Sequence, residues 1–133
     1  TARSMLEMPL RILIVDDSAI FRRGLRMVLE SRPEWEVCGE AADGVEGIEK
    51  ARRLNPDLVI MDFSMPRMTG LEAAREMLKE SPRIPILLLT LFLTGQLAEE
   101  ASKVGIRASL QKNTMRSLVD GIDEVLRGDN LAI

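Results

Sequence analysis

Five residues of this chain have types and positions that suit chemistry on a charged ligand: Asp16, Asp17, Asp62, Thr90 and Lys112. Each closes or follows an apolar run. RILIV (11–15) leads into Asp16-Asp17, DLVIM (57–61) into Asp62, IPILLLT (84–90) ends in Thr90, and the weaker RASLQ (107–111) precedes Lys112. Singly, each has a plain explanation. An Asp pair before a helix caps it. A lone Asp after a strand makes a turn, Thr suits β-structure, and a lysine is usually solvated. Together they are three carboxylates, a hydroxyl and one ammonium. Two carboxylates about 4 Å apart repel by roughly 4 kcal/mol at an effective dielectric of 20. Three acids facing one lysine therefore call for a further cation. Few donors, all oxygen, suit a hard ion that keeps several waters, and Mg²⁺ fits best. Such an ion leaves coordination positions open for phosphate oxygens, so the set reads as a phosphoryl-handling site.

The elements that must bring these residues together are legible in the spacing. The four runs and a further one, WEVCGEA (35–41), recur at intervals that leave room for a helix each time. DLVIM and IPILLLT are almost continuously apolar, as strands covered on both faces are. Between them lie helical stripes: Phe21, Leu25 and Val28; Leu71, Ala74 and Leu78; Leu97, Ala101 and Val104; Met115, Leu118, Ile122 and Val125. Asp43-Gly44 opens the second helix, Asn55-Pro56 precedes the third strand, and Thr94 suits an N-cap for the fourth helix. The pattern predicts a doubly wound α/β domain with a parallel sheet. Right-handed crossovers place all C-terminal strand ends on one edge, where such folds bind ligands, and there the five residues meet.

Composition narrows the class. The chain has 133 residues, 46% hydrophobic and 29% charged, with net charge −3. That length predicts one domain, and the acidic balance gives no electrostatic grip on nucleic acid or an anionic membrane. No histidine is present, which removes imidazole catalysis and imidazole metal ligation. A single cysteine, Cys38, excludes an internal disulfide and is expected to be a small buried residue of the second strand. No apolar run approaches a membrane span and no secretory pattern opens the chain, so a cytoplasmic protein is expected.

These residues resemble a known family. In order the chain reads ILIVDDS, AADGVEGIEKARRLNPDLVIMDFSMPRMTG, PILLLT and LQK, and D-x-x-M-P-x-x-x-G runs from Asp62 to Gly70. This is similar to the response-regulator receiver domain of two-component signalling, closest in texture to NarL/FixJ-type receivers. The resemblance implies a flavodoxin-like strand order of 2-1-3-4-5. It implies Asp62 as phosphoacceptor for a histidine kinase or histidine phosphotransfer protein. Asp16 and Asp17 would hold Mg²⁺, Asp17 directly and Asp16 partly through water, with Asp62 and the Ser64 main-chain carbonyl. Lys112 would pair with one phosphoryl oxygen and Thr90 would hydrogen-bond another. The output face would be the fourth helix, fifth strand and fifth helix, serving an effector domain or a homodimer. A receiver is a switch rather than a turnover enzyme. Met65-Pro66 is expected to stiffen the loop after Asp62, and Gly70 to supply freedom before the next helix.

The chain departs from the family in three places. Ser109 stands where receivers carry an aromatic three residues before the lysine, so a rotating ring cannot be the output. Leu91-Phe92 follow Thr90, where a small residue is common, and are expected to shield the site. Asn113 replaces a proline after the lysine, so no cis peptide is expected there.

Two other readings stand beside the receiver. A haloacid-dehalogenase-type phosphatase wants a second acid two residues after its nucleophile, but Ser64 and Ser18 occupy those positions. A pseudo-receiver, an interaction module without phosphorylation, is countered by the complete acid, Thr and Lys set. Met61, Met65 and Met68 are expected in packing. Arg22, Arg23 and Arg26, with Arg52 and Arg53, are expected on solvated helix faces, the first group available to a kinase. The receiver is expected over 10–128, an extension over 1–9, disordered or in part foreign, and a tail or linker over 129–133. It either stands alone or belongs to a longer regulator.

Overall fold

The computed structural model describes residues 9–127, so all of the expected extension but Pro9, and the expected tail, lie outside the described residues. In chain order the elements are β1 (Leu10–Val15), α1 (Ala19–Leu29), β2 (Trp35–Ala41), α2 (Gly44–Leu54), β3 (Leu58–Asp62), α3 (Gly70–Glu80), β4 (Ile86–Thr90), α4 (Gly95–Val104), β5 (Ala108–Gln111) and α5 (Met115–Arg127). Among the described residues the strands form one parallel sheet in the order β2-β1-β3-β4-β5. This is the doubly wound, flavodoxin-like arrangement.

Alternation along the strands divides the core in two. Ile12, Ile14, Leu58, Ile60, Leu87 and Leu89 face Leu25 and Leu29 of α1 and Leu118 and Ile122 of α5. Leu13, Val15, Val59, Met61, Ile86 and Leu88 face Ala51 of α2, Ala73, Ala74 and Met77 of α3, and Ala101 of α4. The central strands β3 and β4 are buried throughout, which explains their unbroken apolar sequence. Each fully buried aliphatic side chain contributes about 1.5–3 kcal/mol. The edge strand β5 is only partly buried and runs just four residues, in keeping with its weaker sequence signal.

Caps hold the helices where the sequence puts them. Asp43 accepts from Glu46 N–H at the start of α2, and Thr94 from Leu97 N–H at the start of α4. Ser18 caps α1, and Thr69 forms a capping box with Glu72 ahead of α3. Asn55 closes α2 in the left-handed region, just before Pro56.

Three expectations are corrected. Cys38 is half-buried rather than buried: the β1–β2 register slips between Ile12 and Leu13, leaving Cys38 as the extra residue of a bulge. Gly70 is not needed for a left-handed backbone. A methyl there would collide with the main-chain carbonyl of Asp62, so glycine permits α3 to start against the end of β3. Gly70 N–H donates to the Phe63 carbonyl at 2.8 Å across that contact. The third correction concerns the arginines. Arg22 and Arg26 both bind Glu40, at 2.9 and 2.8 Å, and Arg22 is largely covered. Arg52 forks onto Glu80 at the surface, and Arg23, Arg52 and Arg53 are all exposed as expected.

Candidate functional site

The site forms where β1, β3 and β5 end. Asp16 directly follows β1, and its N–H donates to the Ala41 carbonyl at 2.9 Å. One carboxylate oxygen, Oδ1, accepts from Ser18 N–H at 2.8 Å, and the other, Oδ2, takes Lys112 Nζ at 2.8 Å. Asp62 is the last residue of β3, where the sequence places it, and its pairing with Leu89 keeps it in the strand. Its Oδ1 lies 3.1 Å from the same Nζ. Asp17 is exposed beside them, and one oxygen of each acid falls within 4.8 Å of the others.

Burial and charge set the electrostatics. Asp16 and Asp62 are 2% and 5% exposed, so water does little to screen them. Desolvation, then the Asp16 charge, push the Asp62 carboxyl up to about 6, against the opposing pull of Lys112. Desolvation pulls the Lys112 ammonium down, but the Asp16 hydrogen bond and both carboxylates outweigh it, and its pKa lies above the usual lysine value. The lysine is therefore charged, and one cation holds two buried anions with a third at the rim. The remaining negative charge, presented by oxygen donors alone, fits a hard divalent cation.

Thr90 ends β4 and is buried, its hydroxyl 3.5 Å from the Phe92 carbonyl, a long contact that leaves it available to a better acceptor. The Lys112 amide donates to the Thr90 carbonyl at 2.7 Å, which ties the two side chains' backbones together. Ser64 lies exposed in the loop directly after Asp62. That loop turns through Arg67 at φ 68°, and Arg67 pairs with Asp43 at 3.1 Å. Leu91 and Phe92 do not shield the site: they are 69% and 81% exposed and stand in solvent. Ser109 is half-buried within β5, paired with Leu88, and no peptide bond among the described residues is cis. Met61 is in the core, with Met65 and Met68 packed against it.

Sequence reasoning missed two side chains. Phe21 serves as more than a stripe residue: Lys112 Nζ lies 4.2 Å from its ring centroid, a cation–π contact. Arg22 reaches back to the main-chain carbonyl of Asp16. Helical side chains lean toward the N-terminus, so an arginine four residues past the Ser18 cap was the available signal. No equivalent local signal existed for Phe21, whose partner arrives from β5.

Comparison with known proteins agrees with this geometry. The family model of the response regulator receiver domain matches residues 12–123. The chain belongs to that family. It is 34% identical over 125 residues to the response regulator protein VraR of Staphylococcus aureus, covering 93% of this chain and 60% of that protein. It is 42% identical over 99 residues to a protein-glutamate methylesterase/protein-glutamine glutaminase of Pyrococcus abyssi, covering 74% of this chain and 25% of that protein. Among solved structures, a LuxR-family two-component response regulator from Aurantimonas superposes with TM-score 0.85 at 34% identity, covering 90% of this chain and 86% of that one. The response regulator domain of Thermotoga maritima CheB gives 0.83 at 32% identity, covering 92% and 96%. The chain thus spans a quarter to three-fifths of these two curated relatives. It is a receiver domain of two-component signalling whose acidic cluster of Asp16, Asp17 and Asp62 fits a phosphoacceptor site. Among the described residues no helix is long and apolar enough to cross a membrane.

Proposed function

We propose that Asp62 accepts a phosphoryl group from the phosphohistidine of a sensor kinase or a histidine phosphotransfer protein. The observation that carries this reading is the buried Asp62 carboxylate, 3.1 Å from Lys112 Nζ and grouped with Asp16 and Asp17. An Asp62 oxygen attacks phosphorus, the bond from phosphorus to the imidazole nitrogen breaks, and an acyl phosphate forms. With a pKa of about 6 the carboxyl is already ionised at neutral pH, as a nucleophile must be. Lys112 pairs with one phosphoryl oxygen, and the Thr90 hydroxyl leaves its long contact to donate to another. Asp16, Asp17, Asp62 and the Ser64 carbonyl are the oxygens that would hold Mg²⁺. When bound, that ion neutralises the charge on the transferring group. The chain's own contribution is placement, because phosphoryl transfer is chiefly positioning and charge stabilisation.

The same residues account for a switch. Thr90 and Lys112 share a main-chain hydrogen bond, so drawing both toward the phosphoryl group moves β4 and β5 together. The face of α4, β5 and α5 repacks and offers a surface to an effector domain or a second copy. Shifting such an equilibrium from 1:99 to 99:1 takes about 5.5 kcal/mol, within reach of a few charge-assisted hydrogen bonds. Ser109 leaves that movement to backbone and helix shifts. The domain works in the cytoplasm as a signalling switch and not as a turnover enzyme. Intact mass after incubation with acetyl phosphate is the test. A gain of one phosphoryl group that needs Mg²⁺ and vanishes in Asp62→Asn supports the reading; no gain in the parent overturns it.

A further inference from the structure

Arg22 takes no part in the chemistry above, yet it grips the loop that carries both acids at the end of β1. Its Nη1 donates to the main-chain carbonyl of Asp16, and its Nε donates to Glu40 Oε1 at 2.9 Å. Glu40 is itself held: Arg26 Nη1 donates to its Oε2 at 2.8 Å, and Lys50 Nζ donates to its main-chain carbonyl. Those contacts keep the Glu40 carboxyl below the usual range, although burial alone would raise it; the Arg26 and Arg22 hydrogen bonds outweigh desolvation. The Asp16 N–H goes to the carbonyl of Ala41, the next residue of β2. Both polar ends of the Asp16 backbone are thus tied to the end of β2, the amide directly and the carbonyl through Arg22.

The consequence falls on Asp17. A trans peptide is planar, so gripping the Asp16 carbonyl sets the direction in which the chain leaves toward Asp17. The Asp17 carboxylate is exposed and has no hydrogen-bond or ion-pair partner among the described residues, so no side-chain contact pins it and the backbone sets the point from which it reaches out. We propose that Arg22, pinned by Glu40, is a positioning residue that aims Asp17 at the divalent cation. This rests on the metal-holding reading given under the proposed function. The grip needs an arginine in particular. Nε and Nη1 lie in one rigid plane and serve two acceptors, whereas lysine offers a single point charge.

The test is Mg²⁺ binding by titration calorimetry, with thermal unfolding alongside, on the parent, Arg22→Met, Arg22→Lys, Glu40→Gln and Asp17→Ala. Groups that orient metal ligands are worth about 10- to 100-fold in affinity. Both Arg22 variants are expected to bind Mg²⁺ about tenfold more weakly than the parent. Glu40→Gln, which loosens Arg22 without removing it, is expected to shift affinity the same way by less. Unchanged affinity in folded Arg22→Met overturns the inference, whatever happens to its melting temperature. Should Arg22→Met not fold, unchanged affinity in Glu40→Gln does the same. Full rescue by Arg22→Lys overturns the two-point grip. A parent that gives no Mg²⁺ heat, like Asp17→Ala, overturns the metal reading itself and this inference with it.

Discussion

Lys112 Nζ stands 2.8 Å from Oδ2 of Asp16, a residue 96 positions earlier in the chain. The pair is covered on both sides, the lysine side chain 14% exposed and the aspartate 2%. Lys112 is the only cation in an ion pair with Asp16 or Asp62 among the described residues. Removing one member of a buried pair leaves its partner charged and unsolvated, at a cost of about 3–5 kcal/mol. Lys112→Met is therefore expected to lower the stability of the Mg²⁺-free protein by about 3 kcal/mol. Urea unfolding at pH 7.5 measures it, and Lys112→Met combined with Asp62→Asn should recover part of the loss.

Asp62 gives a pH dependence of definite sign. Its carboxyl titrates near about 6 in the folded chain and near 3.8 when exposed. Between those values the folded state holds a proton that the unfolded state has released. Stability of the Mg²⁺-free protein therefore falls as pH rises through that window. A shift of this size corresponds to at most about 3 kcal/mol above pH 7. Asp62→Asn, which carries no charge at any pH, is expected to be more stable than the parent at pH 7.5, with the gain shrinking toward pH 4. Urea titrations across that range check it; a constant difference would show that the charge is not the cause.

Gly70 offers a structural test of the site. An added methyl meets the Asp62 carbonyl and the Phe63 backbone, neither of which is a flexible side-chain end. Gly70→Ala should destabilise by about 1–3 kcal/mol, the usual cost of overpacking. It should also slow phosphorylation of Asp62, because the strand end must move to make room. Denaturation and acetyl phosphate labelling of the folded fraction separate the two effects.

Leu91 and Phe92 lead to an expected null result. Both stand in solvent, so neither screens Asp62 from water. Leu91→Ala with Phe92→Ala should leave the acyl-phosphate lifetime within about twofold of the parent, since exposed side chains away from specific contacts contribute little. Loss of phosphoryl signal over time, followed by mass, gives the answer.

How far the sequence reached is clearest from particular residues. Asp43 and Thr94 cap their helices as the sequence indicates, and DLVIM and IPILLLT lie in the middle of the sheet. Caps, apolar periodicity and strand-end position are short-range features, and parallel topology then carries Asp16, Asp62, Thr90 and Lys112 to one edge without further information. The fold class, and the meeting of these residues at one edge of the sheet, were therefore legible in the chain as written. Packing decided the rest. Glu40 lies 18 positions from Arg22, and nothing in either segment states that β2 and α1 approach closely enough to join them. Phe21 reads as one more stripe residue until β5 lays Lys112 over its ring. Gly70 reads as a source of backbone freedom until α3 closes on the Asp62 carbonyl. The raised Asp62 carboxyl likewise depends on how much water the finished fold excludes and on where Asp16 comes to rest. Distances between elements set those contacts and that field, and only the tertiary structure supplies such distances.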